Sequence, residues 1–266
     1  PYDYSGKLQY PMHNLKPKKF WGQHFLTDLG VAQKIVDLCA ANATDTVIEI
    51  GPGQGVLTQF LIPAYPQFKV VEIDPDAVNY LIGQLGMEEG QIIHKDVLKW
   101  KMEEDIPQDS HFIGNLPYNI SSPFFFQLLE NLPYVKSGAF MIQDEVAKRI
   151  CAGPGTKVYG ILSVLLGAYF DLKYEFKVPP GVFRPPPKVM SGVLSMKRKE
   201  ELPEVDFLRL KRVVKQAFSM RRKTLRNALK SLDFENREQF DELFTRRAET
   251  LSVEEYLDLT RSLVWK

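Results

Sequence analysis

The tetrapeptide Asn115-Leu-Pro-Tyr118 follows a β-rich run and carries the sharpest chemistry in the chain. An Asn side-chain oxygen and a backbone carbonyl can together accept both hydrogens of an exocyclic amine. Pro117 fixes its own φ and has no N–H, which predicts that carbonyls near it stay free for a ligand. Tyr118 offers a flat face on which a nucleobase can stack. Acceptors on both hydrogens favour the pyramidal form of an adenine amine, whose lone pair otherwise spreads into the ring. That is the geometry for methylating the amine, and orientation and electrostatics suffice without a nucleophilic triad or a metal.

Three further signals stand at predicted strand ends. Glu49-Ile-Gly-Pro-Gly-Gln-Gly55 lies between a strand and a helix, where glycines let a ligand approach the backbone. Val56 occupies the sixth position of G-x-G-x-x-G, where a dinucleotide site has Gly or Ala, which speaks against NAD. Glu72 closes the second strand, 21 residues after Gly51, and a carboxylate there can accept from a ribose diol. Asp96 closes the third. Each acid alone reads equally well as an exposed strand end. Their placement on consecutive strands argues for one site.

Alternating elements must position these residues. Runs at 46–50 (TVIEI), 69–73 (KVVEI), 91–94 (QIIH), 111–114 (HFIG) and 139–142 (AFMI) read as strands. Helical patterns fall at 56–62, 76–85 and 123–132, and another begins at Asp28, which can cap a helix with Val31, Ile35, Leu38 and Cys39 on one face. Such alternation predicts an α/β fold with a parallel sheet covered on both faces and ligands beyond the strands' carboxyl ends. The Pro-rich 179–187 (PPGVFRPPP) connects 172–178 to 189–196, which can pair as an antiparallel hairpin at the sheet edge. Beyond 197–201 the pattern is helical. Phe207, Leu210, Val213, Val214, Ala217 and Phe218 make one apolar stripe, and Ser252-Val-Glu-Glu255 has capping-box spacing.

The chain of 266 residues is 44% hydrophobic and 25% charged, which excludes disorder and collagen. Its two cysteines, Cys39 and Cys151, form no CxxC pair and read as reduced thiols of a cytoplasmic protein. The four His show no metal-ligand spacing, so no metal is expected, and no apolar run suggests a membrane span. The net charge of +1 conceals a run from Arg209 to Lys230 with nine basic and no acidic residues, which suits a polyanionic partner or a solvated helix face. Within it Arg221, Arg222, Lys223 and Arg226 follow a helix break near Ser219, and no nearby acid is expected to neutralise them. The first eleven residues lack periodicity and are expected to lie outside the natural chain, with Met12 its start.

From about Pro17 to Arg261 the sequence resembles the KsgA-type small-subunit (16S) rRNA adenine-N6,N6-dimethyltransferase family. The matching segments are Gly22-Gln-His-Phe-Leu26, EIGPGQG at 49–55, Glu72-Ile-Asp74, Asp96-Val-Leu98 and NLPYNIS at 115–121. Further on come Gln143-Asp-Glu-Val-Ala147, Pro154-Gly-Thr-Lys157, Tyr159-Gly160 and Phe183-Arg-Pro-Pro-Pro-Lys-Val189. Phe218-Ser-Met-Arg-Arg-Lys-Thr-Leu-Arg-Asn227 and Arg247-Ala-Glu-Thr-Leu-Ser252 complete the match. One departure is Met190, where the family more often has Asp.

The resemblance implies a Rossmann-like class I methyltransferase domain over 12–199 and a small helical, basic rRNA-binding domain over 200–266. It implies an S-adenosylmethionine site in which Gln23, His24 and Leu26 close over the methionine end, the family having Asn or His at the position of His24. Gly51 and Gly53 pass beneath the cofactor, Glu72 holds its ribose hydroxyls, Asp96 reads its adenine amine, and Ile73 and Val97 are further cofactor-binding residues. Asn115 lies at the junction of cofactor and target base and contacts both; with Leu116, Pro117 and Tyr118 it holds the base, which Tyr118 and Phe183 sandwich once it is flipped out. The implied substrate is two adjacent adenosines in the 3′-terminal hairpin of small-subunit rRNA, in an immature subunit bound by a monomer through Arg221, Arg222, Lys223 and Arg226. Alternatives are the macrolide-resistance type acting on large-subunit rRNA, an assembly or transcription factor that has lost activity, and a DNA amino-methyltransferase.

Overall fold

The computed structural model describes residues 15–18 and 22–264. The expectation for residues 1–11 and Met12 lies outside the described residues. In chain order the elements are β1 (Phe25–Leu26), α1 (Leu29–Val36), β2 (Val47–Ile50), α2 (Thr58–Ala64), β3 (Phe68–Glu72), α3 (Pro75–Leu85) and β4 (Ile92–His94). Then follow β5 (Ser110–Asn115), α4 (Ser121–Glu130), β6 (Val135–Gln143), α5 (Asp144–Ile150), α6 (Ile161–Tyr169), β7 (Phe170–Val178), β8 (Phe183–Arg184) and β9 (Ser191–Arg198). The last four helices are α7 (Phe207–Ser219), α8 (Leu225–Ala228), α9 (Asp241–Thr245) and α10 (Val253–Arg261).

Seven strands form one sheet in the order β4-β3-β2-β5-β6-β9-β7. The first five run parallel, and β9 is antiparallel to both β6 and β7. All five strands expected from sequence are present, and chain order reverses between β2 and β5, where ligands of such sheets bind. The expected hairpin pairs as β7 with β9, but only β7 is an edge, because β9 inserts against β6.

Side chains alternate across the sheet. Val47, Val70, Ile113, Ala139 and Met141 pack with α1, α2 and α3, while Ile48, Val71, Phe112, Phe140 and Leu194 pack with α4, α5 and α6. Local signals explain the helix starts. Asp28 accepts from the Val31 N–H at 2.9 Å, and Asp206 caps α7 through the Arg209 N–H. The Ser252 hydroxyl and the Glu255 carboxylate complete the predicted capping box of α10. Helix α6 is apolar on nearly every side because it lies between the sheet and the C-terminal helices: α7 and α10 both pack on it. Leu210, Val213 and Val214 of the predicted stripe join Leu165 and Leu257 in that core.

Candidate active site

A cavity of about 370 Å³ opens at the carboxyl ends of β2, β3, β4 and β5. The predicted residues Gln23, His24, Gly51, Gly53, Glu72, Ile73, Asp96, Val97, Asn115, Leu116, Pro117, Tyr118 and Phe183 all line it. Leu26 does not. It pairs with Phe183 in the two-stranded sheet of β1 and β8, and its side chain points into the core, 3% exposed. Alternation along β1 puts Phe25 on the cavity instead, a residue not expected there although it lies within the matched segment 22–26.

The glycine turn makes room on the cofactor side. Gly51 and Gly53 have φ of +66° and +53°, a region that side chains avoid. A Cβ on Gly51 would meet no protein atom within 4 Å, whereas one on Gly53 would lie 2.8 Å from the Phe25 ring. The Glu72 carboxylate is fixed by the backbone N–H groups of Ile73 (2.8 Å), Asp74 (2.9 Å) and Gly53 (3.3 Å). Burial pushes its pKa up, against those three donors. Asp96 caps Leu98 through one oxygen at 3.0 Å. Asp74 receives Lys18 Nζ at 2.7 Å and Gln23 Nε2 at 3.1 Å, which ties the segment before β1 to the start of α3. Burial raises the Asp74 carboxyl, but these donors outweigh it and hold it below the ordinary range. Under the turn, Glu49 is fully buried and accepts from Thr58 Oγ1 at 2.6 Å.

On the other side, Asn115 Nδ2 donates to the His24 carbonyl at 3.1 Å. Its Oδ1 and the Leu116 carbonyl accept no hydrogen bond among the described residues. The Pro117 carbonyl, expected to be free, accepts from the Ile120 N–H at 3.1 Å in the turn that leads into α4. The Tyr118 hydroxyl meets Ser191 Oγ at 2.7 Å, and burial raises its pKa against that bond. The ring lying against Tyr118 is His24, with centroids 5.8 Å apart at 29°, and Phe183 is 3% exposed in the cavity wall.

The basic run divides. Arg221 is engaged: its guanidinium donates to the carbonyls of Lys157 and Tyr159 and lies 3.8 Å from the Glu249 carboxylate. Arg226 faces Asp241 at 3.3 Å. The expectation that no acid neutralises this group is therefore corrected, since folding brings in Glu249 and Asp241 from beyond residue 240. Arg222 and Lys223 are exposed and form no ion pair among the described residues.

A glycine turn open to a ligand, carboxylates at successive strand ends and this sheet order define a Rossmann-like class I S-adenosylmethionine-dependent methyltransferase. The profile of the family described as "Ribosomal RNA adenine dimethylase" matches residues 14–264, and the chain belongs to that family. It is an rRNA adenine dimethyltransferase. It is 46% identical over 252 residues to "Ribosomal RNA small subunit methyltransferase A" of Parabacteroides distasonis, covering 94% of each chain. It is 47% identical over 258 residues to the protein of the same name from Bacteroides thetaiotaomicron, covering 95% of this chain and 96% of that one. In fold it is similar to a dimethyladenosine transferase from Plasmodium falciparum, with TM-score 0.78 at 23% identity over 91% of this chain and 100% of that one. The 23S rRNA methyltransferase ErmE superposes with TM-score 0.70 at 24% identity, over 90% and 99% of the two chains. The large-subunit type thus has the same fold, while the relatives alike in sequence carry the small-subunit name.

Proposed function

We propose that the chain methylates N6 of two adjacent adenosines in the 3′-terminal hairpin of small-subunit rRNA, acting as a cytoplasmic monomer on an immature subunit. The observation that carries this reading is the pair of unengaged acceptors, Asn115 Oδ1 and the Leu116 carbonyl, beside Tyr118. Two acceptors match the two hydrogens of an adenine amine and orient its lone pair. The cofactor supplies an electrophilic methyl group. For holding it the cavity offers the open backbone of Gly51 and Gly53, the Glu72 carboxylate for a diol, Asp96 for an amine, and Ile73 and Val97 as apolar walls for a purine. Gln23 closes over this side, Phe25 takes the place expected for Leu26, and Tyr118 and Phe183 hold the flipped base. None of these roles requires a metal. Residues 12–199 carry the chemistry and 200–266 the contact with rRNA, through Arg222 and Lys223 first.

Incubation with labelled S-adenosylmethionine and with small or large subunits from a strain lacking the modification tests the reading. Label should enter small-subunit rRNA. Label confined to large-subunit rRNA would favour the macrolide-resistance type.

A further inference from the structure

Each methyl transfer to an adenine amine releases one proton, so the fate of that proton is a question that rests on the reaction proposed for this site. The amine lone pair forms the C–N bond as the methyl–sulfur bond breaks, with that electron pair left on sulfur. An N–H bond of the alkylated amine then breaks, nitrogen keeps the pair, and the proton needs an acceptor.

The groups lining the cavity narrow the choice. Glu72 is occupied by three backbone donors and belongs to the cofactor side. Asp96 caps Leu98, and Lys95 is a cation paired with Glu104 and Asp105. The Tyr118 hydroxyl is bonded to Ser191, and Arg184, next to Pro185, is an exposed cation. His24 remains. Its Nδ1 lies 2.8 Å from the Pro185 carbonyl oxygen, which can only accept. Nδ1 therefore carries the hydrogen, and Nε2 keeps an in-plane lone pair with no partner among the described residues. The same residue gives its carbonyl to Asn115 Nδ2 and rests its ring against Tyr118. Its side chain thus belongs to the target-base side of the cavity, although the family resemblance places the residue over the methionine end.

We propose that His24 Nε2 accepts the proton lost from the methylated amine and releases it to water before the second transfer. The Nδ1–H bond to Pro185 fixes the reactive tautomer and stabilises the transient imidazolium, as an orienting acceptor does in other His-dependent sites. The contribution is modest, because C–N bond formation has already made the proton acidic.

Two measurements test this. In the full-length protein labelled with ¹⁵N-histidine, two-bond ¹H–¹⁵N correlation spectra should show His24 as the Nδ1–H tautomer; an Nε2–H tautomer would overturn the proposal. His24→Asn can still donate to Pro185 but offers no imidazole lone pair. In single-turnover assays on small subunits it should be about tenfold slower, below the roughly 100–10,000-fold typical of proton-transfer catalysis. It should also lose the wild-type decline in rate on acidification while largely retaining S-adenosylmethionine affinity by calorimetry. A variant equal to wild type in rate and pH profile would overturn the proton-acceptor role alone. A wild type that binds S-adenosylmethionine but methylates no rRNA would overturn this role together with the proposed reaction.

Discussion

Asn115 presents Nδ2 to the backbone carbonyl of His24 at 3.1 Å, and this bond fixes which way its amide faces. Because the partner is a pure acceptor, the nitrogen must face it, and Oδ1 is left as an acceptor beside the Leu116 carbonyl. Asn115→Ala removes this preorganised acceptor. The expected loss is on the order of 2.7–4 kcal/mol, or about 100–1,000-fold in rate, as for removal of one oriented transition-state contact. Cofactor affinity should change little. Single-turnover kinetics alongside calorimetry check both halves, and near-normal turnover would contradict the role given to Oδ1.

Glu72→Ala should weaken S-adenosylmethionine binding. A hydrogen bond to a charged group contributes about 1.5–3 kcal/mol, which sets the scale of the loss. The same carboxylate also holds the Gly53 N–H, so the glycine turn loosens with it. Calorimetric titration gives the answer; an unchanged dissociation constant would reject the assignment.

Glu49 makes stability depend on pH. Burial pushes its pKa from the ordinary 4.5 up to about 8, against the Thr58 hydrogen bond and with Glu72's charge adding to the rise. The folded state holds this proton more tightly than the unfolded chain does. Its contribution is therefore complete below the ordinary value and is lost as pH rises toward 8, at up to about 1.4 kcal/mol per pH unit. Glu49→Gln should flatten that slope when urea unfolding is compared at several pH values across the window. A variant as pH-sensitive as wild type would show that Glu49 is ionised in the folded protein.

Where a signal is local, it is legible in sequence. Asp28 and Ser252 cap the helices they precede, and Glu72, Asp96 and Asn115 stand at strand ends because a β-rich run stops beside each of them. The departures involve distant partners. β1 and β8 have two residues each, and only their mutual pairing decides that Phe25 rather than Leu26 faces the cavity. Likewise Arg221 has no partner nearby in sequence because its carbonyl acceptors at Lys157 and Tyr159 lie more than 60 residues away. The Pro117 carbonyl departs for a different reason: a missing N–H says nothing about who uses the neighbouring C=O, and here the turn into α4 takes it.

Long-range pairing also separates two kinds of basic residue. Arg222→Ala with Lys223→Ala should weaken binding to small subunits steeply at low salt. Two lost phosphate contacts lower the salt slope by about 1.4–1.8, from roughly 0.7 per charge on single strands and 0.9 on duplex DNA. Arg221→Ala should act chiefly on stability, because it leaves the half-buried Tyr159 carbonyl without its donor, at about 1 kcal/mol, while the exposed Lys157 carbonyl can turn to water. Subunit binding at two ionic strengths and thermal melts distinguish them. Equal affinity of the double variant and wild type at both ionic strengths would mark Arg222 and Lys223 as a solvated face.

The acceptors at Asn115 and Leu116 are assigned to double methylation of adenine amines in small-subunit rRNA, and product analysis tests that assignment most directly. Small subunits lacking the modification, treated with the protein and S-adenosylmethionine, can be digested to nucleosides and analysed by mass. The expected product is N6,N6-dimethyladenosine, located by fragment mapping at two adjacent positions of the 3′-terminal hairpin and formed far more slowly with Asn115→Ala. No dimethyladenosine, under conditions in which a relative named "Ribosomal RNA small subunit methyltransferase A" forms it, would contradict the assignment.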